Sequence, residues 1–168
     1  MSEICHYNDA LEKTAANYVP LSPLSFIRRA AAVYPDRTAL IYDERRYSWH
    51  QTYTRCCRLA SLLKHFGITK GDTVAVMLPN VPAMYEAHFG VPMVGAVLNA
   101  INIRLDPEAV AFILDHSRSR LLLVDPEYVE VVEKALARLE GPVPTVINVS
   151  DPSQAMDRAI GELEYETL

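Results

Sequence analysis

The sequence predicts an α/β fold in which a mainly parallel sheet is flanked by helices. Short runs rich in valine and leucine alternate with longer helical segments between residues 73 and 149. Such alternation is typical of parallel sheets with helices on both faces. The continuous apolar runs at residues 73–78 and 97–101 are typical of strands that are buried on both faces. Half of the 168 residues are hydrophobic, so a core of ordinary size can form.

A helix and a hairpin are predicted first. Ser22, between two prolines, suits the N-cap of a helix over residues 24–33. The helix ends before Pro35, because the residue that precedes a proline leaves the α region. The run TALIYDERRYS then predicts a β-hairpin with strands at Thr38–Tyr42 and Arg45–Ser48.

A longer helix is predicted over residues 49–66. Ser48 and Gln51 have the spacing of a capping box, and Gly67 suits the position after the last turn. Its apolar residues recur at helical spacing. The buried stripe is predicted as Tyr53, Cys57, Ala60, Leu63 and Phe66.

The remaining segments predict a β-α-β-α-β-α-β series. Asp106 is the predicted N-cap of one helix, with Pro107 at its first position. The other predicted helices cover residues 81–94 and 126–139. The strands are predicted at residues 73–78, 96–101, 121–125 and 145–149.

The turn after the first valine-rich strand is one candidate site, because nucleotide phosphates dock at such turns in many α/β enzymes. It reads Pro79-Asn80-Val81-Pro82, in which two prolines remove two N–H donors and glycine is absent. The six glycines never cluster into Gly-x-Gly-x-x-Gly or Gly-x-x-x-x-Gly-Lys. We therefore predict a structural turn, in which Asn80 caps the helix and Pro82 starts it.

The histidines lack the spacing of a metal or catalytic site. Glu86 and His88 are two residues apart and face different ways on a helix. Asp115-His116-Ser117 contains triad residue types, but neighbours in sequence cannot form a triad, and no Gly-x-Ser-x-Gly run carries a nucleophile. Each histidine is interpreted as a polar residue without a catalytic role; the five are His6, His50, His65, His88 and His116.

The cysteines indicate reduced, buried or half-buried thiols in an intracellular protein. Cys5, Cys56 and Cys57 have no Cys-x-x-Cys spacing, so neither zinc nor a redox pair is predicted. The net charge is −5 and the basic residues form no run, which argues against nucleic acid as a partner. The longest weakly polar run, residues 91–103, is too short to span a bilayer.

Asn102 and Arg104 are the best local candidates for a polar binding site, with Asn99 just before them. Ligands of open parallel sheets bind beyond the carboxyl ends of strands, which is where these residues are predicted. In the alternative interpretation, Asn102 satisfies turn backbone and Arg104 pairs with a carboxylate.

Short motifs follow one another in a fixed order between about residues 22 and 140. They are Tyr34-Pro35-Asp36-Arg37, Arg46-Tyr47-Ser48-Trp49, Gly71-Asp72, Val74-Ala75-Val76, Leu78-Pro79-Asn80, Gly95-Ala96-Val97, Asn102-x-Arg104-Leu105 and a strand closing on Asp125. Together they resemble the N-terminal portion of the AMP-forming acyl-CoA synthetase (adenylate-forming, AMP-binding) family. The runs NYVPLSPLSF and VPAMYEAHFGVPM most resemble its plant acyl-activating, benzoate-CoA ligase-like branch.

The resemblance implies a parent reaction in which a carboxylic acid, ATP and CoA give acyl-CoA, AMP and pyrophosphate, with magnesium. The family's run Thr-Ser-Gly-Thr-Thr-Gly-x-Pro-Lys is absent from this sequence. Its Tyr-Gly-x-Thr-Glu and Thr-Gly-Asp motifs and its catalytic lysine are absent too. We therefore assign no catalytic, cofactor-binding or metal-binding residue to this chain; ATP, magnesium and CoA belong to the parent family.

Three parts are expected: an irregular lead at 1–21, an incomplete α/β portion of an AMP-binding domain at 22–150, and an acidic tail at 151–168. We expect the chain to be inactive alone. One alternative is a non-catalytic interaction protein that pairs with a full-length relative; another is an independent domain with a site near Asn102 and Arg104. An intracellular location, cytoplasmic or peroxisomal, is expected, although the final Glu-Thr-Leu is not a peroxisomal signal.

Overall fold

The computed structural model of the protein describes residues 12–151 and 158–168. In this part of the chain the helices are α1 (Pro23–Val33), α2 (Trp49–His65), α3 (Pro82–Met93), α4 (Pro107–Ser117) and α5 (Val129–Leu136). The strands are β1 (Thr38–Tyr42), β2 (Arg45–Ser48), β3 (Thr73–Met77), β4 (Val97–Ala100), β5 (Ser119–Val124) and β6 (Thr145–Asn148). Short 3-10 turns occur at Pro126–Tyr128 and Tyr165–Thr167. The predicted α/β class is confirmed.

The larger sheet has the order β4-β3-β5-β6, and all its strand pairs are parallel. The β1–β2 hairpin forms a separate two-stranded sheet. From β3 the chain moves outward to β4, and from β5 it moves the opposite way to β6. Because the connections diverge there, the carboxyl ends of β3 and β5 form a topological switch point, where open α/β sheets bind ligands.

Apolar residues cover both faces of the central strands. Val74 and Val76 of β3 pack in one cluster with residues of α2 and α3, whereas Ala75 and Met77 pack in a second cluster with residues of α4 and α5. This alternation follows from the two-residue period of a strand. β4 was predicted to be equally buried, but it lies at the sheet edge and Val97 is 53% exposed. The apolar sequence of a strand therefore did not reveal its position in the sheet.

The predicted helix starts are confirmed at three places. The Ser22 hydroxyl accepts a hydrogen bond from the Leu24 N–H, and Ser48 and Gln51 form the reciprocal capping box of α2. The Asp106 carboxylate accepts a hydrogen bond from the Ala109 N–H at 2.9 Å. Each of these bonds spans two or three residues, so local sequence was sufficient to predict it.

The prediction that Asn80 caps α3 is wrong. Val81 is the N-cap residue of α3, and no side chain caps this terminus. The Val81 N–H bonds to the Pro79 carbonyl at 2.8 Å, and its side chain is buried in the core. Asn80 is exposed. Because Val81 packs into the core, the N-cap position falls on Val81, one residue later than the sequence suggested.

The predicted stripe of α2 is also displaced. Ala60 and Leu63 are buried as expected, whereas Cys57 is exposed. The buried residues of α2 are Thr52, Cys56, Leu59, Ala60 and Leu63. The helix packs against α1 on one side and α3 on another, so its orientation depends on two neighbours rather than on its own pattern. Helix α5 begins three residues later than predicted, because Pro126 opens a 3-10 turn before it.

Residues 158–168 lie against the domain. The Glu164 backbone forms a parallel bridge with Asn148, and the Tyr165 side chain is buried in the cluster of α2 and α3. The division of the chain into an irregular lead, an α/β portion and an acidic tail stays a prediction. Cys5 and His6 lie outside the described residues.

Candidate functional site at the carboxyl edge of the sheet

The carboxyl edge of the sheet comprises the segments that follow β3, β5 and β6, at residues 78–81, 125–127 and 149–151. The hairpin adds Tyr42 and Arg45 beside the last of them. This edge contains the switch point, so it is the place where the fold would hold a ligand.

The β3–α3 turn offers few donors to an anion. Pro79 and Pro82 have no N–H, and the Val81 N–H is already bonded to the Pro79 carbonyl. A phosphate cradle requires several converging backbone N–H groups in a conformation that glycine permits. This turn does not meet that requirement, in agreement with its interpretation as structural.

Asp125 closes the carboxyl end of β5. Its N–H donates to the Met77 carbonyl at 3.2 Å, and its carboxylate accepts the Glu127 N–H at 2.9 Å. The side chain is buried, and this burial raises the pKa of the Asp125 carboxyl above its ordinary value. Asp125 therefore caps the 3-10 turn that leads to α5.

Asp151 joins the end of β6 to the hairpin. It accepts the Tyr42 hydroxyl at 2.5 Å and the Arg45 guanidinium at 2.9 Å. The hydrogen bond to Asp151 raises the pKa of Tyr42. Next to it, Ser150 donates its N–H and its hydroxyl to the two oxygens of Glu164. These polar groups bond to one another and fill this end of the edge.

The structure favours the structural interpretation of Asn102. Its side-chain oxygen accepts the Arg104 N–H at 3.0 Å, which is a turn bond. Both residues are exposed, and within the described ranges Arg104 forms no ion pair, contrary to the alternative that gave it a carboxylate partner. Asn99 donates to the Ser117 hydroxyl at 3.1 Å and so lies apart from them.

The residues of the Asp115-His116-Ser117 run have separate partners, so they form no triad. Asp115 accepts the N–H groups of Glu140 and Gly141, at 3.0 and 3.1 Å. The His116 ring stacks on Phe112, and the Ser117 hydroxyl bonds to that of Ser119. In residues 12–151 and 158–168, no group of three His, Cys, Asp or Glu side chains could hold a metal ion. Burial raises the pKa of the Cys56 thiol to about 12, so it stays protonated.

Sequence reasoning missed a buried polar network at Glu86. The side chain of Glu86 is only 3% exposed and accepts the Arg55 Nε–H at 2.5 Å and the Tyr165 hydroxyl at 2.7 Å. Arg55 also pairs with Glu166. Burial alone would lower the pKa of Arg55, but the bonds to Glu166 and Glu86 outweigh it and raise the pKa. Through Tyr165 and Glu166, these bonds hold residues 158–168 against α2 and α3.

One signal for this network is present in the sequence. Glu86 is the single acidic residue of the helix PAMYEAHFGVPM, which is otherwise apolar except for His88. A carboxylate at a position that must be buried requires a paired cation. The sequence could not identify Arg55 and Tyr165 as the partners, since they lie 31 and 79 residues away.

A parallel sheet with helices on both faces and a switch point at its carboxyl edge is the architecture of an open-sheet α/β domain. The chain belongs to the AMP-binding enzyme family, whose sequence profile matches residues 27–166. It is 49% identical to the peroxisomal trans-cinnamate:CoA ligase of Petunia hybrida, over 95% of this chain and 30% of the relative. The peroxisomal benzoate–CoA ligase of Arabidopsis thaliana is 44% identical, over 95% and 28%. The predicted resemblance, including its plant branch, is confirmed.

Solved structures agree with this assignment. A putative long-chain-fatty-acid CoA ligase of Rhodopseudomonas palustris superposes with a TM-score of 0.76 at 28% identity, over 88% of this chain and 36% of that one. An anthranilate CoA ligase shares the fold at 21% identity, with a TM-score of 0.79 over 93% and 29%. In length, the chain spans about 30% of the two plant ligases named above. Among the described helices, none combines the length and apolar character needed to cross a bilayer.

Proposed function

We propose that this chain is the N-terminal α/β portion of an AMP-forming acyl-CoA ligase. We propose further that it does not form an acyl-adenylate by itself. The observation that carries the proposal is the carboxyl edge, where the strand ends lack a phosphate loop. The turn after β3 runs through two prolines, and Asp125 and Asp151 bond to neighbouring groups of the chain.

Electrostatics support the same proposal. Transfer of an adenylyl group needs cations or N–H donors around the phosphates to offset the developing negative charge. The carboxyl edge carries the carboxylates of Asp125, Glu127 and Asp151, with Glu164 bonded beside them, while Arg45 is paired with Asp151. A triphosphate placed there would meet repulsion that the described residues do not compensate.

For the whole protein we propose the activation of a carboxylic acid with ATP and its transfer to CoA. The relatives are named for trans-cinnamate and benzoate, and others of similar identity for acetate and butyrate, so the proposed substrate class is a small carboxylic acid, aromatic or aliphatic. The first two are named as peroxisomal, so the peroxisome is one proposed location and the cytoplasm the other.

The test is carboxylate-dependent ATP–pyrophosphate exchange on the purified 168-residue chain of verified intact mass. Benzoate, cinnamate and medium-chain acids serve as substrates. The positive control is a single polypeptide in which this chain replaces the matching part of the Petunia ligase. We expect exchange from the chimera and a blank signal from the isolated chain. Exchange by the isolated chain above that blank would refute the proposal.

A second candidate function is a non-catalytic partner of a full-length relative. It is favoured by the outer edge of β4, which pairs with no other strand in the described part of the chain. Such an edge can accept a strand from another molecule. The expected result is co-purification with a full-length ligase and a change in its rate. An unchanged rate at a saturating ratio would exclude this function.

The unpaired edge and the exposed apolar side chains also predict the behaviour of the isolated chain. We expect it to bind a hydrophobic dye and to self-associate as its concentration rises. A monodisperse monomer that melts cooperatively without dye binding would count against a scaffold that requires further chain.

A further inference from the structure

Arg55 lies on α2 and contacts three other parts of the chain. Its guanidinium bonds to Glu86 of α3 and to Glu166 in residues 158–168. It also lies over the ring of Tyr47 in β2, 5.5 Å from the ring centroid. Each other ion pair between described residues joins one cation to one carboxylate. Arg55 therefore links two helices, the hairpin and the segment that follows β6.

Two edges of the planar guanidinium of Arg55 are in use. Nε and Nη2 donate to the two oxygens of Glu86, and the longer of these bonds is 3.3 Å. Nη2 and Nη1 donate to the two oxygens of Glu166, and the longer of these bonds is 3.1 Å. Two forked pairs on one guanidinium fix its plane as well as its position. A lysine at this position would supply charge but no fork.

The inner end of this arrangement is buried and the outer end is not. The side chain of Glu86 is 3% exposed, that of Arg55 is 20% exposed and that of Glu166 is 49% exposed. Glu86 also accepts the Tyr165 hydroxyl at 2.7 Å. A buried carboxylate must keep its hydrogen-bond partners, so its position is fixed by them. Glu86 is thus the fixed end, and Arg55 transfers that position to Glu166.

The outer end reaches the carboxyl edge of the sheet. Glu166 lines one crevice together with Ser150 and Asp151. Two residues before it, Glu164 accepts the N–H and the hydroxyl of Ser150. Asp151 in turn accepts bonds from the hairpin. The placement of the segment after β6 therefore depends on where Arg55 holds residues 164–166.

We propose that Arg55 is a positioning residue of the ligase, which orients residues 164–166 and the hairpin at the carboxyl edge. The inference rests on the proposed function, because the reaction itself needs the rest of a ligase. Arg55 acts through Glu166 and Tyr47, so it is not a catalytic residue. A small displacement of the groups that orient reactants lowers the rate of the chemical step more than it weakens binding.

The first test measures carboxylate-dependent ATP–pyrophosphate exchange in the chimera with the Petunia ligase. Arg55→Lys keeps the charge and removes the fork. Arg58→Lys is the matched control, because Arg58 borders the same cavity on α2 but forms no ion pair with a described residue. Arg55→Lys should lower kcat about tenfold and change the KM for ATP by less than about twofold. Arg58→Lys should leave kcat unchanged.

The rates are expressed per folded molecule, which is counted by size-exclusion chromatography and circular dichroism. A merely structural role of Arg55 would lower the yield of folded chimera and leave kcat per folded molecule unchanged. An unchanged kcat in Arg55→Lys would therefore overturn the inference. An equal loss in Arg58→Lys would overturn it too, because the loss would then follow the charge density of α2 and not the contacts of Arg55.

The second test uses Glu166→Ala, which leaves the buried pair of Arg55 and Glu86 intact and so retains the fold. In the chimera it should lower kcat, and in the Arg55→Lys background it should lower kcat no further, because both changes break one connection. Hydrogen exchange of the unmodified 168-residue chain and of its Glu166→Ala variant supplies a readout without ATP. The Ser150 N–H should exchange several-fold faster in the variant, while that of the buried Leu122 in β5 stays unchanged.

Unchanged exchange at Ser150 in Glu166→Ala would refute the inference. Failure of the proposed function has a different signature: the unmodified chimera would then show no pyrophosphate exchange, or the isolated chain would show exchange above the blank. In the first case hydrogen exchange at Ser150 decides whether Arg55 and Glu166 position the edge. In the second case the kinetic comparison of Arg55→Lys with Arg58→Lys is made on the isolated chain.

Discussion

Helices α3 and α4 flank opposite faces of one sheet and both begin with proline, yet they are stabilised differently. α4 has a side-chain cap, Asp106, and ends at Arg118 in the left-handed conformation. α3 has no side-chain cap, and its one acidic residue is buried against Arg55 and Tyr165. The comparison teaches that α4 is specified mainly by nearby residues, whereas α3 depends on partners that are distant in sequence.

The largest expected effect comes from Glu86→Leu. The substitution leaves Arg55 and the buried Tyr165 hydroxyl without their shared acceptor, so we expect a loss of about 3 kcal/mol in the free energy of unfolding. Urea titration of the purified chain measures it. Glu108→Gln on the exposed side of α4 is the matched control and should change stability by less than about 0.5 kcal/mol. Equal effects at both positions would remove the distinction between the helices.

The next effect concerns the contact between α3 and α2. A Cβ at Gly90 would lie 2.7 Å from Cδ2 and 2.8 Å from Cγ of Leu59. Gly90→Ala should therefore cost about 2 kcal/mol, as overpacking does, despite the better helix propensity of alanine. In a Leu59→Ala background the same change should cost much less. A stabilising Gly90→Ala in the unmodified chain would show that the helices are not in close contact.

The N-terminal caps of the two helices predict a smaller effect, and here α4 rather than α3 is the more sensitive helix. Asp106→Ala removes the side-chain cap of α4 and should lower stability by about 1 kcal/mol. Asn80→Ala precedes α3 but removes no cap bond, so its effect should stay within about 0.5 kcal/mol. Thermal unfolding of both variants checks this pair. A loss at Asn80 as large as that at Asp106 would restore the capping role that the sequence suggested.

The smallest effect is a dependence on alkaline pH. Burial, followed by the nearby charge of Glu86, raises the pKa of Tyr165 well above its ordinary value. The folded chain therefore keeps a proton that the unfolded chain releases above about pH 10, and stability should fall as pH rises through that value. Tyr165 should account for about 0.8 kcal/mol of the loss at pH 10.5. Tyr165→Phe should reduce the slope of stability against pH between 9 and 10.5; an unchanged slope would contradict the burial of this hydroxyl.

Much of the fold could be predicted because its signals are local. The hairpin strands, the caps of α1, α2 and α4, and Gly67 after the last turn of α2 each depend on a few adjacent residues. The edge position of β4 could not, since the sequence of a strand does not state how many neighbours it has.

The sequence alone determined the α/β class, the family and the caps of α1, α2 and α4, because each is a pattern over a short span or an ordered series of such patterns. Only the tertiary structure decided which side of α2 is buried, why Val81 rather than Asn80 is the N-cap residue of α3, and how Glu86 is neutralised. Those outcomes depend on contacts between residues far apart in the chain, as between Glu86 and Tyr165. The physical reason is that a buried side chain is placed by all of its neighbours at once, and local sequence names only those nearby along the chain.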